Sequence, residues 1–144
     1  MIVEIKGRRI TESMALRELA ADGTGATVLF TGRVRPYEGR SRIDSLFYEH
    51  YPGMAEKVIR GILVEYARKY RLRDAVLIHR VGNVKAGELS VIVAVSSERR
   101  KEGFQACAGI IREVKEKAPI WKREQGEVSR WQSERVAGKK QKQK

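Results

Sequence analysis

Residues 89–97, LSVIVAVSS, read as a fully apolar strand. They constrain the chain to a fold in which helices cover a sheet. DAVLIHRVGNV (74–84) is the strand before it and KAGE (85–88) the turn between, so the two predict a hairpin. MIVEIKG (1–7), GATVLFTGRVR (25–35) and RIDSLFYEHY (42–51) are further strands, with a polar loop over 36–41 and a break at Pro52-Gly53. Three helices separate them. The first covers Thr11 to Asp22, with Met14, Leu16 and Leu19 on one side and Gly23 as its stop. The second covers Met54 to about Tyr70, where Val58, Ile59, Ile62, Leu63 and Tyr66 recur at helical spacing. The third runs from about Arg99 to Lys117, stopped by Pro119. PIWKREQ and SRWQSER are short terminal strands. The order is βαββαββαββ, an α+β chain with a mostly antiparallel sheet and three helices.

The 144 residues show no internal repeat and no interdomain linker, so one domain is predicted over 1–137. The final KKQKQK reads as a disordered basic tail within 138–144. Lys and Arg number 30 against 18 Asp and Glu, a net charge of +12. The four tail lysines leave about +8 on the body, enough to call for an anionic partner: nucleic acid, a phosphorylated small molecule or an acidic protein. No apolar run is long enough to span a membrane, and the N-terminus lacks the apolar region of a signal peptide. A single cysteine, Cys107, fits a reducing, cytoplasmic setting and reads as structural. His50 and His79 lack metal-ligand spacing, no phosphate-loop or dinucleotide fingerprint is present, and neither metal nor cofactor is predicted. His79, on an apolar strand, reads as a satisfied core histidine.

The sharpest local signal is a misplaced charge. At about 100° per residue, Phe104, Cys107, Ala108, Ile111, Val114 and Ala118 share one arc of the third helix, and Lys115 falls inside it. A lone buried ammonium costs several kcal/mol. Lys115 must therefore snorkel at the stripe edge, pair with a buried acid, or line a pocket that an anion visits. After Pro119 the chain runs extended, with Ile120 and Lys122 on one side and Trp121 on the other, free to anchor the segment against the core. Lys115 and Lys122 then converge from two rigid elements, an arrangement suited to proton transfer or amine chemistry. Arg33 and Arg35 end a strand on one face, where they either grip a phosphate or stay solvated. Arg99 and Arg100 open the third helix, where cations oppose the helix dipole and hint at an anionic ligand.

Taken in order, GATVLFTGRVR, LFYEHYPGMAEK, VLIHRVGNVKAGELSVIVAVSS, RRKEGFQA and KEKAPIWKRE resemble the large, catalytic subunit of molybdopterin synthase, the MoaE family, over about residues 25–135. The resemblance implies an α/β-hammerhead fold and a sulfurtransferase of molybdenum cofactor biosynthesis. Such an enzyme converts a cyclic pyranopterin monophosphate to molybdopterin. The sulfur comes from the C-terminal Gly-Gly thiocarboxylate of a small ubiquitin-like subunit, within a heterotetramer built on a large-subunit homodimer whose sites draw on both large subunits. Carried over by position, Lys115 and Lys122 are the catalytic pair. Lys115 would steady the oxyanion formed as sulfur leaves the glycyl carbonyl, and Lys122 would serve as acid/base or orient the pterin. Arg33, Arg35, Arg99 and Arg100 would hold phosphate, with Arg123, Glu124 and Arg135 also in the substrate site. The family has His-Arg where this chain has Arg99-Arg100, which keeps a cation and loses a titratable imidazole. Two other classes stand against this reading: a nucleic-acid-binding module, which predicts exposed aromatics among basic residues on a sheet face, and a noncatalytic binder of a ubiquitin-like partner.

Overall fold

The structure, a computed structural model, describes residues 1–126 and 130–133. The tail over 138–144 and Arg135 lie outside the described residues. Among the described residues, nine strands and three helices follow one another as β1 (Ile2–Lys6), α1 (Glu12–Glu18), β2 (Ala26–Arg33), β3 (Tyr37–Glu38), β4 (Ser41–His50), α2 (Met54–Tyr70), β5 (Asp74–Arg80), β6 (Gly82–Lys85), β7 (Leu89–Ser97), α3 (Arg100–Lys117), β8 (Ile120–Gly126) and β9 (Arg130–Ser133).

The middles of β5 and β7, Ala75–Ile78 and Val91–Val95, are apolar because both of their faces are covered. They form the middle of a four-stranded sheet ordered β1-β5-β7-β2, in which only the β1–β5 pair is parallel. Side chains alternate across the pleat. Leu77, Val93 and Val95 join Ile59, Leu63, Ile110 and Val114 in the core under α2 and α3. Val76, Ile78, Ile92 and Ala94 face Ala15 and Leu19 of α1 on the other side.

α1 ends four residues earlier than its periodicity predicts. Asp74 explains the stop: its carboxylate accepts from the Ala20 N–H at 2.8 Å and from its neighbour's N–H at 2.9 Å, pulling the chain out of the helix. The predicted strand over 74–84 also breaks. After Arg80 the chain turns at Val81–Gly82, with Gly82 at φ +87°, a region open to glycine. β6 then leaves the first sheet to pair antiparallel with β4. β4 pairs on its other edge with β8, and the second sheet runs β3-β4-β8-β9 with β6 attached to β4. The loop predicted over 36–41 contains β3, a two-residue strand folded back on β4 through a turn at Gly39.

The third helix corrects the wheel. Its buried face is Gly103, Ala106, Cys107, Gly109, Ile110 and Val114, turned by roughly one residue from the predicted arc. Phe104 is 61% exposed, and Ala108 and Lys115 are exposed as well. The cause is close approach. Modest glycine and alanine residues, counted as weakly apolar by pattern, let the helix axis sink onto its neighbours. A Cβ on Gly103 would lie 2.8 Å from Ser97 Oγ, and one on Gly109 would lie 2.2 Å from the Tyr66 ring of α2. Arg112 then reaches across to donate to the Tyr66 hydroxyl at 3.3 Å. Lys115 thus lies at the edge of the stripe, open to solvent, and is not a buried charge.

Gly109→Ala tests this packing. Helix propensity favours alanine by up to about 1 kcal/mol. Overpacking against the Tyr66 ring costs about 1–3 kcal/mol or more. The expected result is a net fall of roughly 5 °C in thermal midpoint, measured by circular dichroism. An unchanged or higher midpoint would show that the helices are not locked through this contact.

Candidate functional site

The end of α3 sets the geometry. Pro119 has no N–H to donate and forces the residue before it out of helical angles, and Ala118 sits extended at φ −68°, ψ 135°. The Tyr51 N–H donates to the Pro119 carbonyl at 3.1 Å, starting β8 alongside β4. The β4–β8 register pairs His50 with Ile120, Tyr48 with Lys122, and Leu46 with Glu124. Ile120 is fully buried and anchors this face. Trp121, expected to be the anchor, is only half-buried on the opposite face. Ile120, the smaller side chain, fits under the sheet where the core is already full, and Lys122 and Glu124 follow it at every second position.

Lys122 and Glu124 line a cavity of about 100 Å³ together with Lys115 of α3. Arg33, Arg35 and Glu38 line it from β2 and the β3 hairpin, and Tyr48 and Ser90 form part of its wall. Val34, 2% exposed, points inward between Arg33 and Arg35, so both arginines turn to the same side. A bulge between Gly32 and Arg33 redirects the strand there. Arg33 is held by donating to the Gly87 carbonyl at 3.0 Å. That turn is itself clamped by Glu88, whose carboxylate accepts from the Lys85 N–H at 2.9 Å and meets Arg80 and Arg9 at 3.3 Å each. The Lys85 N–H, with the two guanidiniums, holds the Glu88 carboxyl below its ordinary range. Arg35 donates to Glu38 at 3.1 Å.

The cavity lining therefore carries four cations and two carboxylates. Glu124 is 3% exposed, whereas Lys115 is open to solvent and Lys122 half-buried. Behind Tyr48, the buried His79 makes a T-shaped ring contact at 5.1 Å, and its Nδ1 lies 2.7 Å from the Arg80 carbonyl. His79 is the satisfied core histidine that its position predicts.

The other predicted site residues lie elsewhere. Arg123 alternates to the far face of β8, where its guanidinium sits 5.7 Å from the Phe47 ring. Arg99 and Arg100 lie at the opposite end of α3, and fifteen residues of helix put Arg100 about 22 Å from Lys115. There Arg99 lines a separate cleft of about 400 Å³ with Lys69, Tyr70, Arg71, Glu98 and Glu102. Arg135 falls outside the described residues. Sequence reasoning missed Glu38, Tyr48 and Ser90. Tyr48 had a usable signal, since it is the inward position of β4 two residues before His50; Glu38 and Ser90 had none short of the tertiary fold.

Cys107 is buried under α3, and its burial pushes the thiol up to about 11. Among the described residues no helix is long and apolar enough to cross a membrane.

The fold has counterparts in known proteins. A family model described as MoaE protein matches residues 7–117. The molybdopterin synthase catalytic subunit of Pyrococcus abyssi is 39% identical over 115 residues, covering 80% of this chain and 76% of that protein. The crystal structure of molybdopterin synthase from Staphylococcus aureus superposes with a TM-score of 0.85 at 34% identity, over 90% of this chain and 95% of that one. A chain of the complex of subunits 1 and 2 of the molybdopterin-converting factor from Helicobacter pylori shares the fold, with a TM-score of 0.75 at 22% identity over 92% of this chain and 91% of that one. Since the match extends through both sheets and all three helices, the chain belongs to the MoaE family, the catalytic subunits of molybdopterin synthase.

Proposed function

We propose that the cavity at the end of α3 is where sulfur passes from the C-terminal thiocarboxylate of a small ubiquitin-like subunit to a cyclic pyranopterin monophosphate. The observation that carries this is the convergence of Lys115, Lys122, Arg33 and Arg35, from three different elements, on one cavity. Both reactants are anions, and preorganised cations favour them most where water is displaced by the incoming chain.

The chemistry assigns roles. A thiocarboxylate is nucleophilic at sulfur. As that sulfur bonds to a side-chain carbon of the pterin, the carbon–oxygen bond there breaks and the oxygen leaves, protonated to water or as the phosphate-ester oxygen, so that the link to the partner becomes an acyl thioester. Water then adds to the glycyl carbonyl, a tetrahedral oxyanion forms, and the C–S bond breaks. Sulfur stays on the pterin and the partner leaves as a carboxylate; a second thiocarboxylate supplies the second dithiolene sulfur. Lys115, at the exposed rim where a tail would enter, steadies the oxyanion. Lys122, deeper on β8 and beside the buried Glu124, moves the proton or orients the pterin. Arg33 and Arg35 hold phosphate.

Arg99 and Arg100 cannot reach the same ligand within one chain, which supports their delivery to the cavity of a second copy. The stripe between the two ends of α3 suits such an arrangement: Phe104 and Ala108 are exposed beside β2, an edge strand of its sheet. The assembly we infer is a homodimer of this chain carrying two small subunits, in the cytoplasm. The resident thiol is no competitor for the sulfur-carrying role: with Cys107 near 11, the thiolate fraction at pH 8 is on the order of one in a thousand.

Reconstitution with a thiocarboxylated small subunit and the cyclic pterin tests the assignment. Lys115→Ala should lose about 10²–10³-fold in rate with the fold intact, since it removes a group aimed at developing charge. Full activity in that variant would end the assignment. Cys107→Ala should form product at the parental rate; loss of turnover in a folded Cys107→Ala protein would instead place sulfur on the chain itself.

A further inference from the structure

The two carboxylates of the cavity are held in different ways. Glu124 is fixed: it is 3% exposed and sits in the body of β8, paired with Leu46 of β4. Glu38 is carried by a strand of two residues, joined to β4 through the Tyr37–Arg42 and Glu38–Ser41 pairs and, at its base, by the Ile43 N–H donating to the Pro36 carbonyl at 2.7 Å, with a left-handed Gly39 at φ +63° as the turn. Its carboxylate meets the Arg35 guanidinium at 3.1 Å, an i,i+3 pair in which the arginine side chain is 76% exposed. Solvent screens the arginine end of the pair, while the Glu38 side chain is 21% exposed.

We propose that Glu38 is a stand-in for the incoming anion: it occupies Arg35 while the cavity is empty and surrenders it when an anionic group enters. This deepens the anion-site reading above and rests on it. An anion entering the cavity meets Lys115 at its rim, but it must displace a carboxylate to gain Arg35. Glu38 therefore sets a threshold. A doubly charged phosphate outbids one carboxylate for a guanidinium, while a singly charged group merely matches it.

Binding of inorganic phosphate, followed by calorimetry at low ionic strength, tests this. The portion lost in the Lys115→Ala/Lys122→Ala protein defines binding in the cavity. In Glu38→Gln that portion should tighten by about threefold, with fivefold as the ceiling for an exposed pair. The gain should shrink at high salt. In an Arg35→Gln background, Glu38→Gln should bring no further gain. Unchanged or weaker phosphate binding in Glu38→Gln overturns the stand-in role, and so does an equal gain in both backgrounds, which would mean simple charge repulsion. If the parental protein shows no lysine-dependent phosphate binding at all, the anion-site reading falls and takes this role with it.

Discussion

The β4–β8 ladder is the constraint on which the site depends. Strand side chains alternate with a period of two, so a slip of one residue would turn every side chain on β8 over. In the observed register, Lys122 and Glu124 face the cavity behind the anchor Ile120, while Trp121 and Arg123 face away. A slipped register would bury Trp121 and Arg123 and put both functional groups in solvent. The full burial of Ile120 is what makes the choice, together with the Tyr51 N–H that starts the ladder at Pro119. Apolar packing thus decides where the charges go.

Much of the fold was legible in the sequence because two signals were unambiguous. α2 has a break, Pro52-Gly53, immediately before a regular apolar stripe, and its ends fall where those signals put them. β7 has no polar interruption from Val91 to Val95 and lies in the sheet centre. What could not be read came from contacts that a one-dimensional pattern does not carry. The end of α1 depends on Asp74, distant in sequence. The break at Val81–Gly82 depends on β4 offering a second edge to pair with. The facing of α3 depends on glycine: a helix wheel scores Gly103 and Gly109 as empty, whereas the structure uses that emptiness to bring the backbone close.

The site was legible in its cations and less so in its shape. Lys115 and Lys122 line one cavity, a convergence that the turn at Pro119 allowed; that Arg33 and Arg35 line it too came from the resemblance and not from their spacing. The inference about Lys115 reached its neighbourhood through a wheel turned by one residue: it is a rim group and not a core group. The separation of Arg99 and Arg100 from that cavity follows from the length of α3 alone, which the sequence already contained. The counter-charges were the least visible part, since Glu38 enters only through the folding-back of β3.

One continuous run of chain, β5 into β6, belongs to both sheets. The second sheet is consequently stitched to the central strand of the first and cannot swing as a separate flap without tearing pairs from the middle of the molecule. Apart from the short hairpin tip, the wall of the cavity is held by the same cooperative unit that gives the protein its stability, so any group that enters has to fit a mouth that does not close around it.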